Sequence, residues 1–114
     1  MEIKKNIRVG DRIRFVDFVC DMCEKDGKQY YALFDYAWRI AVITFFAPEA
    51  ELDKMDTDEM CDFVYSRQGI EIVEDPDIAV ITAGLYEACE AEMKDRKEKY
   101  MKVFDAINHP DPLD

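Results

Sequence analysis

A chain of 114 residues with 49% apolar and 36% charged side chains has the length of one domain, with enough apolar content to build a core without disulfides or metal. That composition excludes a disordered or membranous chain, and the formal charge of −11 excludes the basic surface that direct nucleic-acid binding needs. The opening MEIKKNIRVG lacks the apolar region of a signal peptide, and the most apolar stretch, 39–49, is far shorter than the ~20 residues of a spanning helix. A cytoplasmic protein with four reduced cysteines, Cys20, Cys23, Cys61 and Cys89, is expected.

Taken in chain order, 11–24 reads as an amphipathic helix. Ile13, Phe15, Val16, Val19, Met22 and Cys23 recur at three- and four-residue spacing and mark its buried face. Lys25-Asp26-Gly27 is a turn, with Gly27 as the left-handed residue. The stretch 28–47 reads as a second helix, apolar on most sides and therefore central, with Asp35 and Arg39 as an i,i+4 pair. A strand over 39–46 is the alternative; Pro48 ends the element either way. Asp56 or Thr57 starts a third helix, with Glu59 placed for a capping box and Gly69 closing it. The stretch 70–74 is either a helical turn or a short strand. Asp75-Pro76 opens a long last helix over about 77–108, stopped by Asn108-His109-Pro110. At 1.5 Å per residue it would be ~45 Å long and outrun the body, bend, or pack against another chain. The expected fold is an all-α single-domain bundle of about four helices, its ends 1–8 and 109–114 flexible.

Charge is unevenly distributed. Between Glu49 and Glu92 fourteen carboxylates face only Lys54 and Arg67, a balance of −12, whereas 1–14 and 94–102 each carry +3. The densest acidic group is Glu49, Glu51, Asp53, Asp56, Asp58, Glu59 and Asp62. Asp56, Asp58 and Glu59 suit a helix N-terminus through its dipole. The functional alternative is a carboxylate surface that imitates nucleic-acid phosphates and binds a basic groove, with steep salt dependence. The end of the last helix, Arg96, Lys97, Tyr100, Val103 and Phe104, is the second candidate binding surface.

Cys20-x-x-Cys23 has the spacing to share a zinc, with Cys61, Cys89 or His109 completing the set. Because Cys23 shares the apolar stripe and the other cysteines stand singly at apolar positions, reduced core thiols are preferred to a metal site. His109, beside Pro110, lacks the pocket that acid–base catalysis needs. Neither a phosphate-binding glycine loop nor a nucleophile elbow occurs. Asp35 is read as the partner of Arg39 in preference to a catalytic carboxylate. No catalytic residue, cofactor or metal is expected.

Asp26-Gly27, Tyr30, Asp35-Tyr36-Ala37 and Ala41-Val42-Ile43-Thr44, followed by an acidic loop and a long final helix, resemble a group of small helical proteins encoded by phages and prophages of Gram-positive bacteria. The resemblance implies no activity and no catalytic residue. It implies a setting, the host cytoplasm or a particle. There a non-enzymatic protein would act as an assembly or virion component, binding a protein partner or its own copies. The alternative is an acidic, nucleic-acid-mimicking inhibitor of a host defence nuclease, of the anti-CRISPR type, bound to a basic nucleic-acid-binding protein.

Overall fold

The computed structural model describes residues 2–108, apart from the side chains of Phe104, Ile107 and Asn108. His109 and the 109–114 end lie outside the described residues. The described residues are mostly helical and finish in a long helix, as the periodicity predicts. Its elements are α1 (Val9–Met22), a hairpin of β1 (Glu24–Lys25) and β2 (Lys28–Gln29), α2 (Phe34–Phe46), α3 (Thr57–Val64), α4 (Arg67–Val73) and α5 (Pro76–Asn108). Short 3-10 turns at Tyr31–Leu33, Pro48–Ala50 and Leu52–Lys54 fill the connections.

The first correction falls at the turn. Asp26 (φ 54°) and Gly27 (φ 81°) both have positive φ. Two such residues between paired strands form the tight hairpin turn that Asp-Gly favours, with Glu24 opposite Gln29 and Lys25 opposite Lys28. Pairing takes Lys28 and Gln29 out of the helix expected over 28–47, so α2 begins only at Phe34. Tyr30, Tyr31 and Leu33 are left exposed. From there the helical reading is right and the strand alternative is wrong. Ala37, Ile40, Ala41, Val42, Ile43 and Phe46 are all buried, and α2 is packed by α1, α3 and α4.

Phe15 of α1 is fully buried, with its ring 5.2 Å from Trp38 and 5.4 Å from Phe45. A side chain of that size contributes about 1.5–3 kcal/mol by leaving water. Ile13, expected on the buried face, is exposed instead; it lines an open groove between α1 and α5 that also includes Gly84.

Gly69 does not close α3; it lies buried inside α4. A Cβ there would sit 2.2 Å from the Phe63 carbonyl oxygen, so the bend between the two helices excludes any larger residue. Ser66 makes that bend. Its hydroxyl donates to Phe63 O (2.6 Å) and accepts from Gly69 N (3.2 Å), which caps α4. The capping box expected at α3 is present: Asp56 Oδ1 accepts from Glu59 N at 2.8 Å, and Glu59 Oε1 accepts from Asp56 N at 3.3 Å.

Asp75 caps α5 by accepting from Asp77 N and Ile78 N, with Pro76 as the first helical residue. The core face of α5 is Ile78, Thr82, Leu85, Cys89 and Met93. Thr82 is tolerated there because its hydroxyl donates to Ile78 O at 2.8 Å. The helix runs unbroken and lengthens the molecule to 62 × 30 × 19 Å, with a radius of gyration of 16.8 Å. At the other end of the chain, Lys4 N donates to Phe46 O at 2.7 Å, and Ile3 and Ile7 pack on the core.

Candidate functional site

The acidic loop is built on two buried anchors. Pro48 stops α2, and Ala50 and Leu52 then turn inward while Glu49, Glu51 and Asp53 face solvent. Glu51 stands at φ 53°, a left-handed conformation that is uncommon for a residue with a side chain. It is the single residue that joins the two 3-10 turns. All seven acidic candidates, Glu49, Glu51, Asp53, Asp56, Asp58, Glu59 and Asp62, are exposed.

Their carboxylates are not equivalent. Glu49 accepts from Glu2 N, Glu51 pairs with Lys54 at 3.1 Å, and Asp56 and Glu59 are engaged in the cap of α3. The cap is thus a structural use of part of the acidic cluster. The remainder borders a feature that the sequence did not suggest. Phe18, Ile40, Leu52, Met55 and Met60 wall an apolar groove of about 440 Å³, with Glu51 and Asp53 also lining it. Its lining contains no lysine or arginine. Methionine side chains are flexible and polarisable, so such a wall adapts to the shape of an apolar guest.

The second candidate surface is arranged differently from its reading in sequence. Arg96 is turned onto its own molecule. It meets Asp21 at 2.7 Å, Glu92 at 3.0 Å, Asp17 at 3.3 Å and Glu24 at 3.9 Å, so it ties α5 to α1 and the hairpin. Lys97 lies over the Tyr31 ring at 6.0 Å. Tyr100 is half-buried with its ring against Gly27, where a Cβ would come within 3.1 Å of it. Val103 is exposed, and the side chain of Phe104 lies outside the described residues.

Cys20, Cys23 and Cys89 are fully buried, and Cys20 Sγ lies 3.6 Å from the Cys89 carbonyl oxygen. Burial pushes the Cys20 thiol up to about 11 and the Cys89 thiol up to about 12. Burial therefore favours the neutral thiol at both positions. Among the described residues no group of three His, Cys, Asp or Glu side chains is disposed to hold a metal ion. Asp35 accepts from Arg39 (3.1 Å) and from the Tyr65 hydroxyl (3.0 Å). Those contacts bind α2 to the end of α3.

Sequence reasoning singled out the carboxylates but missed Phe18, Met55 and the groove. Its walls come from α1, α2, the loop and α3, so no local spacing carries the signal. Among the described residues no helix is long and apolar enough to cross a membrane. The chain matches no family model, no curated protein and no solved structure, so what the groove does must be argued from its own chemistry.

Proposed function

We propose that this protein is a non-enzymatic interaction protein, a helical bundle organised around α2. In this reading the acid-edged apolar groove receives a basic, amphipathic segment of a protein partner. The observation that carries the reading is the coincidence of two properties. An apolar trough of about 440 Å³ opens beside a run, 49–62, that carries seven carboxylates against Lys54. Apolar anchors would fill the trough while cations meet Glu51 and Asp53, the pattern of helix-in-groove recognition. A solvated face that only maintained solubility would have no use for the trough. On the resemblance carried by 26–44, the setting is a phage- or prophage-encoded assembly or virion-associated component working in the host cytoplasm.

The second reading is the acidic mimic. It is favoured by the three carboxylates that have no partner among the described residues, Asp53, Asp58 and Asp62. The two readings separate in a pull-down from host lysate at low salt, washed in rising salt. Met55→Ala/Met60→Ala removes the trough wall without changing charge, and Asp58→Lys/Asp62→Lys reverses charge away from the trough. Groove binding predicts that the first pair weakens capture about tenfold or more, and the second only a few-fold. The reverse ranking, with bound protein eluting early in salt, would sink the groove and establish mimicry.

A further inference from the structure

Three large apolar side chains, Val9, Ile13 and Val80, are 75%, 63% and 78% exposed, and they are not scattered. Helices α1 and α5 run parallel, since Lys5 meets Asp77, Cys20 meets Cys89 and Asp21 meets Arg96 in that order. Between them Ile13 and Val16 share a groove of about 740 Å³ with Gly84, Ala88 and Ala91. Val9 lies one turn before Ile13 and Val80 one turn before Gly84, so the apolar strip continues past the groove. Isolated exposed apolar residues are ordinary, but a contiguous strip marks a contact surface. Small residues keep the α5 side of the groove low. A Cβ on Gly84 would meet nothing within 4 Å, so another helix can come close.

The groove also changes sign along its length. Arg12 lines the end where α1 begins, and Asp17, Glu92 and Asp95 line the other. Those carboxylates meet cations of their own molecule through one oxygen each: Asp17 Oδ1 and Glu92 Oε1 with Arg96, and Asp95 Oδ2 with Lys99. The second oxygen of each can accept another cation. A partner with this strip and the opposite polarity is the same surface turned end for end. We propose that the α1–α5 face is the interface of a two-fold symmetric dimer. A second copy lies antiparallel across it, apolar strip on apolar strip, with Arg12 of each copy opposite the end of the other's groove that Asp17, Glu92 and Asp95 line.

A two-fold axis across the groove reverses its direction, so unlike ends meet; a parallel arrangement would bring like ends together. The strip from 80 to 95 is about 24 Å long at the helical rise. A face of that length and two helices wide falls short of the roughly 800 Å² per partner of a standard interface. The dimer should therefore dissociate on dilution through the micromolar range. The inference is independent of the acid-edged groove, which lies on other residues and is untouched by the variants below.

Sedimentation equilibrium of the full chain over a micromolar concentration series tests it. The wild type should move from monomer to dimer mass. Gly84→Glu adds a charged side chain to open space, and at dilution where both are monomeric it should melt no lower than wild type because glycine is the poorer helix former. It should nevertheless dissociate about tenfold or more readily. Arg12→Glu should do the same, and Arg12→Glu/Asp95→Arg should restore association to within a few-fold. A wild type of monomer mass at every concentration, or a dimer indifferent to Gly84→Glu, overturns the proposal. Failure of the charge swap to restore the dimer overturns its two-fold arrangement.

Discussion

The two halves of α5 show how one continuous helix can be held by two kinds of force. From 76 to 93 it is fastened by burial: Ile78, Thr82, Leu85, Cys89 and Met93 face the core at three- and four-residue intervals. From 94 onward no described side chain is fully buried. There Arg96 and its four carboxylate neighbours hold the helix, with the contact of Tyr100 on Gly27. Burial is non-directional and strong, while partly exposed ion pairs are weak and sensitive to salt. The first half is therefore structural core and the second a projecting arm that perturbation can loosen without unfolding the molecule.

The contrast breaks most visibly at its two methionines. Met93→Ala removes a fully buried side chain and should cost about 2–5 kcal/mol. Met101→Ala, two turns further along on the exposed arm, should lie within about 0.5 kcal/mol of wild type. Chemical denaturation of both variants checks this, and equal losses would mean that the arm is packed as tightly as the body.

The next effect separates the halves by pH. In the core half, burial raises Cys89 from 9.0 to about 12, and across the interface Cys20 is raised from 9.0 to about 11. Between pH 9 and these values the unfolded chain has lost thiol protons that the folded chain retains. The unfolded state then binds fewer protons, so stability is complete below about pH 9 and falls as pH rises toward 11–12. Each such thiol contributes a slope of about 1.4 kcal/mol per pH unit. Cys20→Ala/Cys89→Ala should flatten the decline measured by denaturation between pH 9 and 11. An unchanged slope would assign it elsewhere, to groups such as Tyr36, which burial raises to about 12.

The smallest effect sharpens the comparison from the other side. Arg96→Met keeps the length of the side chain and removes its charge. The carboxylates it meets are 36–68% exposed, so solvent screens the pairs and the loss should be about 1 kcal/mol or less. Amide exchange should quicken over 94–103 and in the hairpin, while the 76–93 half keeps its protection. Faster exchange throughout α5 would show that Arg96 holds the whole helix.

What was legible in the sequence follows the same division. Elements set by local rules could be read directly, including the Asp56–Glu59 capping box, the Asp75-Pro76 start and the buried periodicity of α5. The Asp26-Gly27 hairpin was also readable, because that dipeptide favours such a turn, but the apolar run after it suggested a helix and masked it. Gly69 and Ile13 could not be assigned correctly, since each depends on how two helices meet: the Phe63 carbonyl across the α3–α4 bend in one case, the open groove between α1 and α5 in the other. The acidic candidates were visible as charge. The groove beside them was not, because Phe18, Ile40, Leu52 and Met60 come together only when four segments pack. Arg96 read as a binding residue for the same reason: its partners, Asp17 and Asp21, are more than seventy residues away.

The continuous α5 also governs how the protein moves through solution. A body 62 Å long and 19 Å across its narrowest axis meets more friction than a sphere of the same mass. It tumbles slowly about its short axes and leaves a sizing column early. A monomer of this shape runs like a heavier globule, so elution volume alone would suggest a dimer whether or not one forms. Only a measurement of mass independent of friction tells an arm from a partner.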